Sequence, residues 1–207
     1  MMNNTVSIGS SVMVPEGIAP RLPSETVEEV QKAAEVLLAK SIARTAHRNQ
    51  VYLPEHIEYF FHLDKVAQIV CLTYDGKFDL LDALVLSYLH DVVEDTDTQL
   101  DDLSIYFPER IIKGVSALTK DQSLPKRSQI EDSIHRIISE PKEVGIVKMA
   151  DRAANLSNSL LSYSIAKKRY YAEEAEFLLE ALGHLHKRTS RLLAGQINLF
   201  RNFHLTD

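Results

Sequence analysis

The sequence predicts an all-α fold, a compact multi-helix bundle. Three observations carry that reading. Apolar residues recur at helical spacing over most of the chain. No segment alternates apolar and polar residues with any force, as a half-buried strand would. Glycine is scarce, seven in 207 residues, and no repeat or low-complexity tract interrupts the pattern.

The elements follow in order. Residues 1–23 carry no helical period and read as a loosely ordered lead-in. The first helix is expected from Pro23-Ser24 to about His47, with Val27, Val30, Ala34, Leu37, Leu38 and Ile42 at helical spacing. Thr26 and Glu29 have the spacing of a capping box at its start. The stretch Gln50 to Phe61 breaks around Pro54 and reads as an irregular connection. Periodicity resumes at Asp64 with Val66, Ile69, Val70 and Leu72, and Tyr74-Asp75-Gly76-Lys77 reads as a turn. A strongly apolar helix is expected from Asp79 to about Val93, then short helices over 99–106 and 108–118, the latter opened by Pro108. Helices over Arg127 to Ser139 and over about 143–162 follow. A last helical region runs from near Ile165, with an interruption at Gly183. Residues 24–183 form the expected main domain and 184–207 a C-terminal helical extension.

Composition narrows the function. With 45% hydrophobic and 25% charged residues, the chain has the mix of an ordinary globular protein. Its net charge of −6 is not the field of a nucleic-acid binder. No stretch reaches the length of a membrane span, and the N-terminus lacks the charged and apolar blocks of a secretory signal. The lone Cys71 suits a reducing cytosol. The expectation is a cytoplasmic protein acting on a small molecule, without membrane or nucleic-acid partners, its self-association left open.

One stretch concentrates chemistry. Tyr88 to Thr98 holds His90, Asp91, Glu94, Asp95 and Asp97 directly after the apolar run Leu80 to Leu86. On a continuous helix His90 and Asp91 lie roughly 100° apart, while His90 with Glu94 and Asp91 with Asp95 share faces. Such a carboxylate cluster repels itself unless a cation relieves it. His62, after Phe60-Phe61, and Asp151, after Val147-Lys148-Met149-Ala150, are likewise single polar groups delivered by apolar segments. Two imidazoles and two carboxylates suit Mn²⁺, Fe²⁺, Co²⁺ or Zn²⁺ better than Ca²⁺. A calcium loop starting at Asp95 is excluded, because Leu100 stands where it needs glycine and Tyr106 where it needs glutamate. His184 and His186, among Lys187, Arg188 and Arg191, read as an exposed basic face, and His135 as structural or exposed.

Leu89-His90-Asp91-Val92-Val93-Glu94-Asp95-Thr96 together with Val147-Lys148-Met149-Ala150-Asp151-Arg152-Ala153-Ala154-Asn155 resembles the hydrolase domain of the RelA/SpoT-type alarmone enzymes, members of the HD phosphohydrolase superfamily. The small stand-alone alarmone hydrolases are the nearest likeness, over roughly Ala33 to Leu182. The resemblance implies a guanosine tetra- or pentaphosphate substrate cut at its 3′-pyrophosphate. It implies a metal, usually Mn²⁺, held by His62, His90, Asp91 and Asp151. It gives water activation and proton handling to Glu94 and Asp95. Asn155 and Tyr171 match nucleoside-side positions. Ala46-His47-Arg48-Asn49-Gln50 resembles the family's early helix end. Thr119 to Arg127 resembles its phosphate-side loop, making Lys126 and Arg127 candidate phosphate contacts, with Lys148 or Arg152 and a weaker match at Lys167 as further cations. Arg152 has an equal claim to a structural ion pair, and Lys148 to balancing Asp151.

The chain departs from the family at Val51-Tyr52-Leu53-Pro54, where basic residues and a Gly-Pro-Tyr-type turn are usual, and at Leu63 after His62, where proline is usual. Tyr52 or Arg48 is a candidate to replace the missing base contacts by stacking. This departure keeps two other readings open: an HD phosphohydrolase acting on a nucleoside monophosphate or NADPH, and a non-catalytic alarmone-binding module.

Overall fold

The computed structural model describes residues 24–52, 57–157 and 163–205, without the side chains of Ser24, Glu25, Tyr52, Lys126 and Arg127. The expected lead-in over 1–23 lies outside the described residues. Helices account for nearly all of what is described: α1 (Ser24–Ala46), α2 (Phe60–Thr73), α3 (Leu80–Leu89), α4 (Val92–Asp95), α5 (Leu100–Ser104), α6 (Glu109–Leu118), α7 (Lys126–Ile138), α8 (Lys142–Leu156), α9 (Ile165–Leu182) and α10 (Lys187–His204). The all-α expectation is borne out. The one addition is a two-residue antiparallel ribbon, β1 (Val51–Tyr52) with β2 (Ile57–Glu58), where an irregular connection was expected.

The centre of the bundle is α8. Its side chains from Glu143 to Ala154 are all buried, so it has no solvent face. Helices α2, α3, α9 and α10 pack around it. Gly145 permits the close approach of Leu185, from the α9–α10 turn; a Cβ there would collide with that side chain. A helix covered on every side is held by packing rather than by propensity, and that rigidity fixes Asp151.

Local signals set the other boundaries. The Asp79 carboxylate accepts from the Asp82 N–H at 3.0 Å and caps α3. The expected turn after α2 holds Gly76 at φ 80°, a conformation glycine adopts without steric penalty. Gln99 and Asp102 form a capping box at α5. The interruption at Gly183 is where α9 ends.

Five expectations change. The helix expected over about 143–162 ends at Leu156, and residues 158–162 lie outside the described residues. Helix α1 already runs from Ser24, so Thr26 lies in its first turn and not at the cap. Helix α2 starts at Phe60, which puts His62 inside its first turn instead of ahead of the helix. The helix expected to continue to Val93 stops at Leu89 and restarts at Val92. Here the His90 ring takes up the Ser87 carbonyl at 2.8 Å, a backbone acceptor that a continuing helix would use itself. Finally, His186 is buried and caps α10, bonding Thr189 and, at 3.0 Å, Asp75. The exposed basic face therefore keeps His184 but not His186; α10 folds back onto the α2–α3 turn and covers the ring. His135 is exposed.

Candidate metal and hydrolase site

Three helix ends and the central helix bring the four expected ligands together. His62 comes from the first turn of α2, His90 and Asp91 from the break between α3 and α4, and Asp151 from α8. His62 Nε2 lies 3.2 Å from Asp151 Oδ1 and 3.6 Å from Asp91 Oδ2. His90 Nε2 lies 3.0 Å from Asp91 Oδ2 and 3.7 Å from Asp151 Oδ1. An ion about 2.1–2.2 Å from each donor needs neighbouring donors about 3.0 Å apart at right angles and about 3.5 Å apart in a tetrahedron. The measured separations run from 3.0 to 3.7 Å, from the right-angle value to slightly beyond the tetrahedral one; the donor atoms of His62, His90 and Asp151 all lie within 4.8 Å of one another, and Asp91 joins them through its contacts with both imidazoles.

The protonation pattern also fits a cation. His90 Nδ1 faces the Ser87 carbonyl, so its proton is donated there and Nε2 is left to bind. Buried His90 Nε2 makes no hydrogen bond of good geometry, although a carboxylate oxygen is 3.0 Å away. That is the posture of a ligand atom aimed at a common point. Burial alone would lower the His90 pKa, but the charges of Asp91 and Asp151 override it and raise it to about 10. Burial likewise opposes the two carboxylate charges, yet the imidazoles hold both carboxyls below their ordinary range. Without a metal, a proton stands in for the missing positive charge.

The ligands are themselves supported. Asn155 Nδ2 donates to Asp151 Oδ1 at 2.6 Å, and the buried Lys148 ammonium lies 3.6 Å from Asp151 Oδ2. Tyr59 donates to Asp91 Oδ2 at 2.6 Å. Lys148 thus faces Asp151, and Asn155 braces a ligand.

Glu94 and Asp95, on α4, sit in different surroundings. Lys120 holds both Glu94 oxygens, through its ammonium at 2.7 Å and its backbone N–H at 3.1 Å. Burial would lower the Lys120 pKa, but Glu94 raises it. Among the described residues, Asp95 has no cationic partner at that distance. Its burial and the nearby Asp91 charge push its pKa up. Its carboxylate accepts from Tyr59 at 3.0 Å, and its carbonyl accepts from Gln50 Nε2 at 2.7 Å. Gln50 Oε1 in turn meets His47 Nδ1 at 2.8 Å, and the His47 ring stacks on Tyr59 at 4.6 Å.

Glu94 and Lys120 open onto a cavity of about 840 Å³ that Gln122, Gln129, Lys167 and Tyr171 also line. The Tyr171 hydroxyl is pushed up to about 12 by burial and by Tyr163. Arg152 pairs with Glu174 at 2.9 Å and lies over the Tyr171 ring. That arrangement satisfies the structural ion pair foreseen for it. Arg48 is exposed and lines a separate cavity of about 420 Å³ with Arg44 and Glu58. The side chains of Lys126, Arg127 and Tyr52 lie outside the described residues.

Comparison with known proteins agrees with this geometry. No protein-family model matches the chain. Guanosine-3′,5′-bis(diphosphate) 3′-pyrophosphohydrolase MESH1 from Mus musculus is 37% identical over 130 residues, which cover 60% of this chain and 69% of that one. The Homo sapiens MESH1 matches with the same identity and coverage. The chain belongs to the MESH1-type guanosine-3′,5′-bis(diphosphate) 3′-pyrophosphohydrolase family. A solved structure described as a metazoan ortholog of SpoT that hydrolyzes ppGpp shares the fold, with a TM-score of 0.69 and 23% identity over 80% of this chain and 95% of that one. Membership accounts for the phosphohydrolase chemistry foreseen in the two motifs.

Two residues that carry much of the site were not singled out from the sequence. Lys120 lies within the recognised Thr119 to Arg127 segment, and its place beside a threonine that ends α6 was the available signal. Tyr59, three residues before His62, would have been paired with it by helical spacing had the start of α2 been placed correctly.

Proposed function

We propose that the chain is a Mn²⁺-dependent guanosine-3′,5′-bis(diphosphate) 3′-pyrophosphohydrolase. The observation that carries this is the four-donor cluster of His62, His90, Asp91 and Asp151 beside the Glu94–Lys120 pair at the mouth of the large cavity. The two-nitrogen, two-oxygen donor set favours Mn²⁺ or another divalent transition ion. When bound, such an ion supplies Lewis acidity toward a phosphoryl oxygen and toward water.

The chain's own groups do the rest. Glu94, clamped by Lys120, presents a fixed carboxylate that orients water and accepts its proton. Asp95, held by the Tyr59 hydroxyl at 3.0 Å, is assigned the transfer of a proton to the departing oxygen by family resemblance. Lys120 and Lys167 line the cavity and balance pyrophosphate charge; Lys126 and Arg127 are assigned to the phosphates by family resemblance alone. Tyr171 offers a ring for the nucleoside beside them, and Asn155, which donates to Asp151, is assigned to the nucleoside by family resemblance alone. Arg48, in its separate cavity, is assigned to base contact by family resemblance alone. The exposed thiol of Cys71 suits a reducing compartment such as the cytosol.

Incubation with Mn²⁺ and guanosine tetraphosphate, followed by ion-exchange separation of the products, tests this. GDP and pyrophosphate are expected, and Asp151→Ala should lose Mn²⁺ and turnover together. Orthophosphate in place of pyrophosphate, or no product from Mn²⁺-loaded protein, would overturn the proposal.

A further inference from the structure

We propose that the Tyr59 hydroxyl is a positioning residue that couples the metal-ligand aspartate Asp91 to Asp95, so that cation binding and the hold on Asp95 depend on one another. The inference rests on the metal-dependent reading above. Tyr59 caps α2 immediately before the turn that carries His62. Its ring is fixed from two sides. It stacks on His47 at 4.6 Å with planes 19° apart, and it meets His62 edge-on at 5.6 Å. Its hydroxyl is thereby placed 2.6 Å from Asp91 Oδ2 and 3.0 Å from Asp95 Oδ2.

The identity of the Asp91 oxygen matters. Oδ2 is the atom that faces both imidazoles, 3.0 Å from His90 Nε2 and 3.6 Å from His62 Nε2. A phenol has a single proton to donate. Two carboxylate oxygens therefore compete for it, and the nearer, Asp91, takes the larger share. When a cation draws on the charge of Asp91 Oδ2, that oxygen becomes a weaker acceptor. The phenol proton then turns toward Asp95. The Asp95 main chain cannot follow, because Gln50 holds its carbonyl at 2.7 Å. The response is confined to the Asp95 carboxylate.

The test is Mn²⁺ affinity by calorimetry on the metal-free full chain, for wild type, Tyr59→Phe, Tyr59→Leu, Asp95→Asn and the Tyr59→Phe/Asp95→Asn pair. The phenol proton competes with a cation for Asp91 Oδ2, but it also fixes the orientation of that carboxylate; loss of a group that orients a metal ligand typically weakens binding ~10- to 100-fold, this loss outweighs the relieved competition, and Tyr59→Phe, which keeps the stack, should fall in that range. Asp95→Asn should shift the affinity in wild type and leave it unchanged within twofold when Tyr59 is Phe. Turnover of guanosine tetraphosphate by Tyr59→Phe should drop in kcat with KM nearly constant. Wild-type affinity in Tyr59→Phe with loss only in Tyr59→Leu would show that the ring alone matters and would overturn the proposal. So would effects of the two substitutions that simply multiply, or a wild type that binds no Mn²⁺. Coupling in a protein that binds Mn²⁺ but leaves guanosine tetraphosphate intact would sustain this inference while removing the substrate assignment.

Discussion

With His90 as a ligand of the ion, as proposed above, Mn²⁺ competes with a proton there, and ion affinity is expected to be steeply pH-dependent. In the metal-free protein the His90 pKa is raised from 6.5 to about 10, burial being outweighed by Asp91 and Asp151. At pH 7 the ring is then protonated about a thousand times more often than not, and removing that proton costs about 4 kcal/mol. Apparent affinity should climb about tenfold per pH step between pH 7 and 9 and flatten near pH 10. Calorimetry at pH 7 in two buffers of different ionisation enthalpy should show about one proton released per ion. An affinity constant within twofold from pH 7 to 9, with no buffer-dependent heat, would refute the reasoning. The same shift acts on the metal-free fold. A pKa raised on folding stabilises fully below pH 6.5, and that contribution is withdrawn as pH rises through about 10. Urea midpoints of the metal-free protein should therefore fall over that window.

Glu94→Gln should keep Mn²⁺ affinity within a few-fold and lower kcat by ~10²–10⁴, as for loss of a general base; an unchanged kcat would move that role to another group. Lys120→Met removes the ammonium prong from Glu94 and leaves the backbone N–H prong in place, and loss of a charged hydrogen bond of about 1.5–3 kcal/mol predicts a fall in kcat of about 10- to 100-fold, read in steady-state assays. Leu89→Ala, at a fully buried position on the helix that delivers His90, should cost about 2–5 kcal/mol in urea unfolding. A loss under 1 kcal/mol there would mean that α3 does not form the packed wall described.

The helices were legible because each satisfies a local rule. Leu80 to Leu89 is apolar enough to be buried, and Ile146, Val147, Met149 and Ala150 mark the central helix. The ligand candidates were legible for a related reason, since a lone histidine or aspartate at the end of an apolar element has to be satisfied by something. The break at His90–Asp91 was not. It depends on a ring choosing the Ser87 carbonyl, which helical periodicity does not encode. His186 was misjudged from its basic neighbours because its partner, Asp75, is 111 residues away in the chain.

By itself, then, the sequence determined the all-α class, the order of the helices and the chemical identity of the candidate donor side chains. These follow from hydrophobic period and side-chain chemistry, both properties of neighbouring residues. Only the tertiary structure decided that Lys120 clamps Glu94, that Lys148 and Asn155 brace Asp151, and that one Tyr59 hydroxyl spans Asp91 and Asp95. Two of these contacts, Lys120 with Glu94 and Tyr59 with Asp95, join residues 26 and 36 positions apart. Such contacts exist because α2, α3 and α6 are packed around a central helix with no solvent face, with α4 held against α3, and their geometry is set by that packing and not by any local pattern.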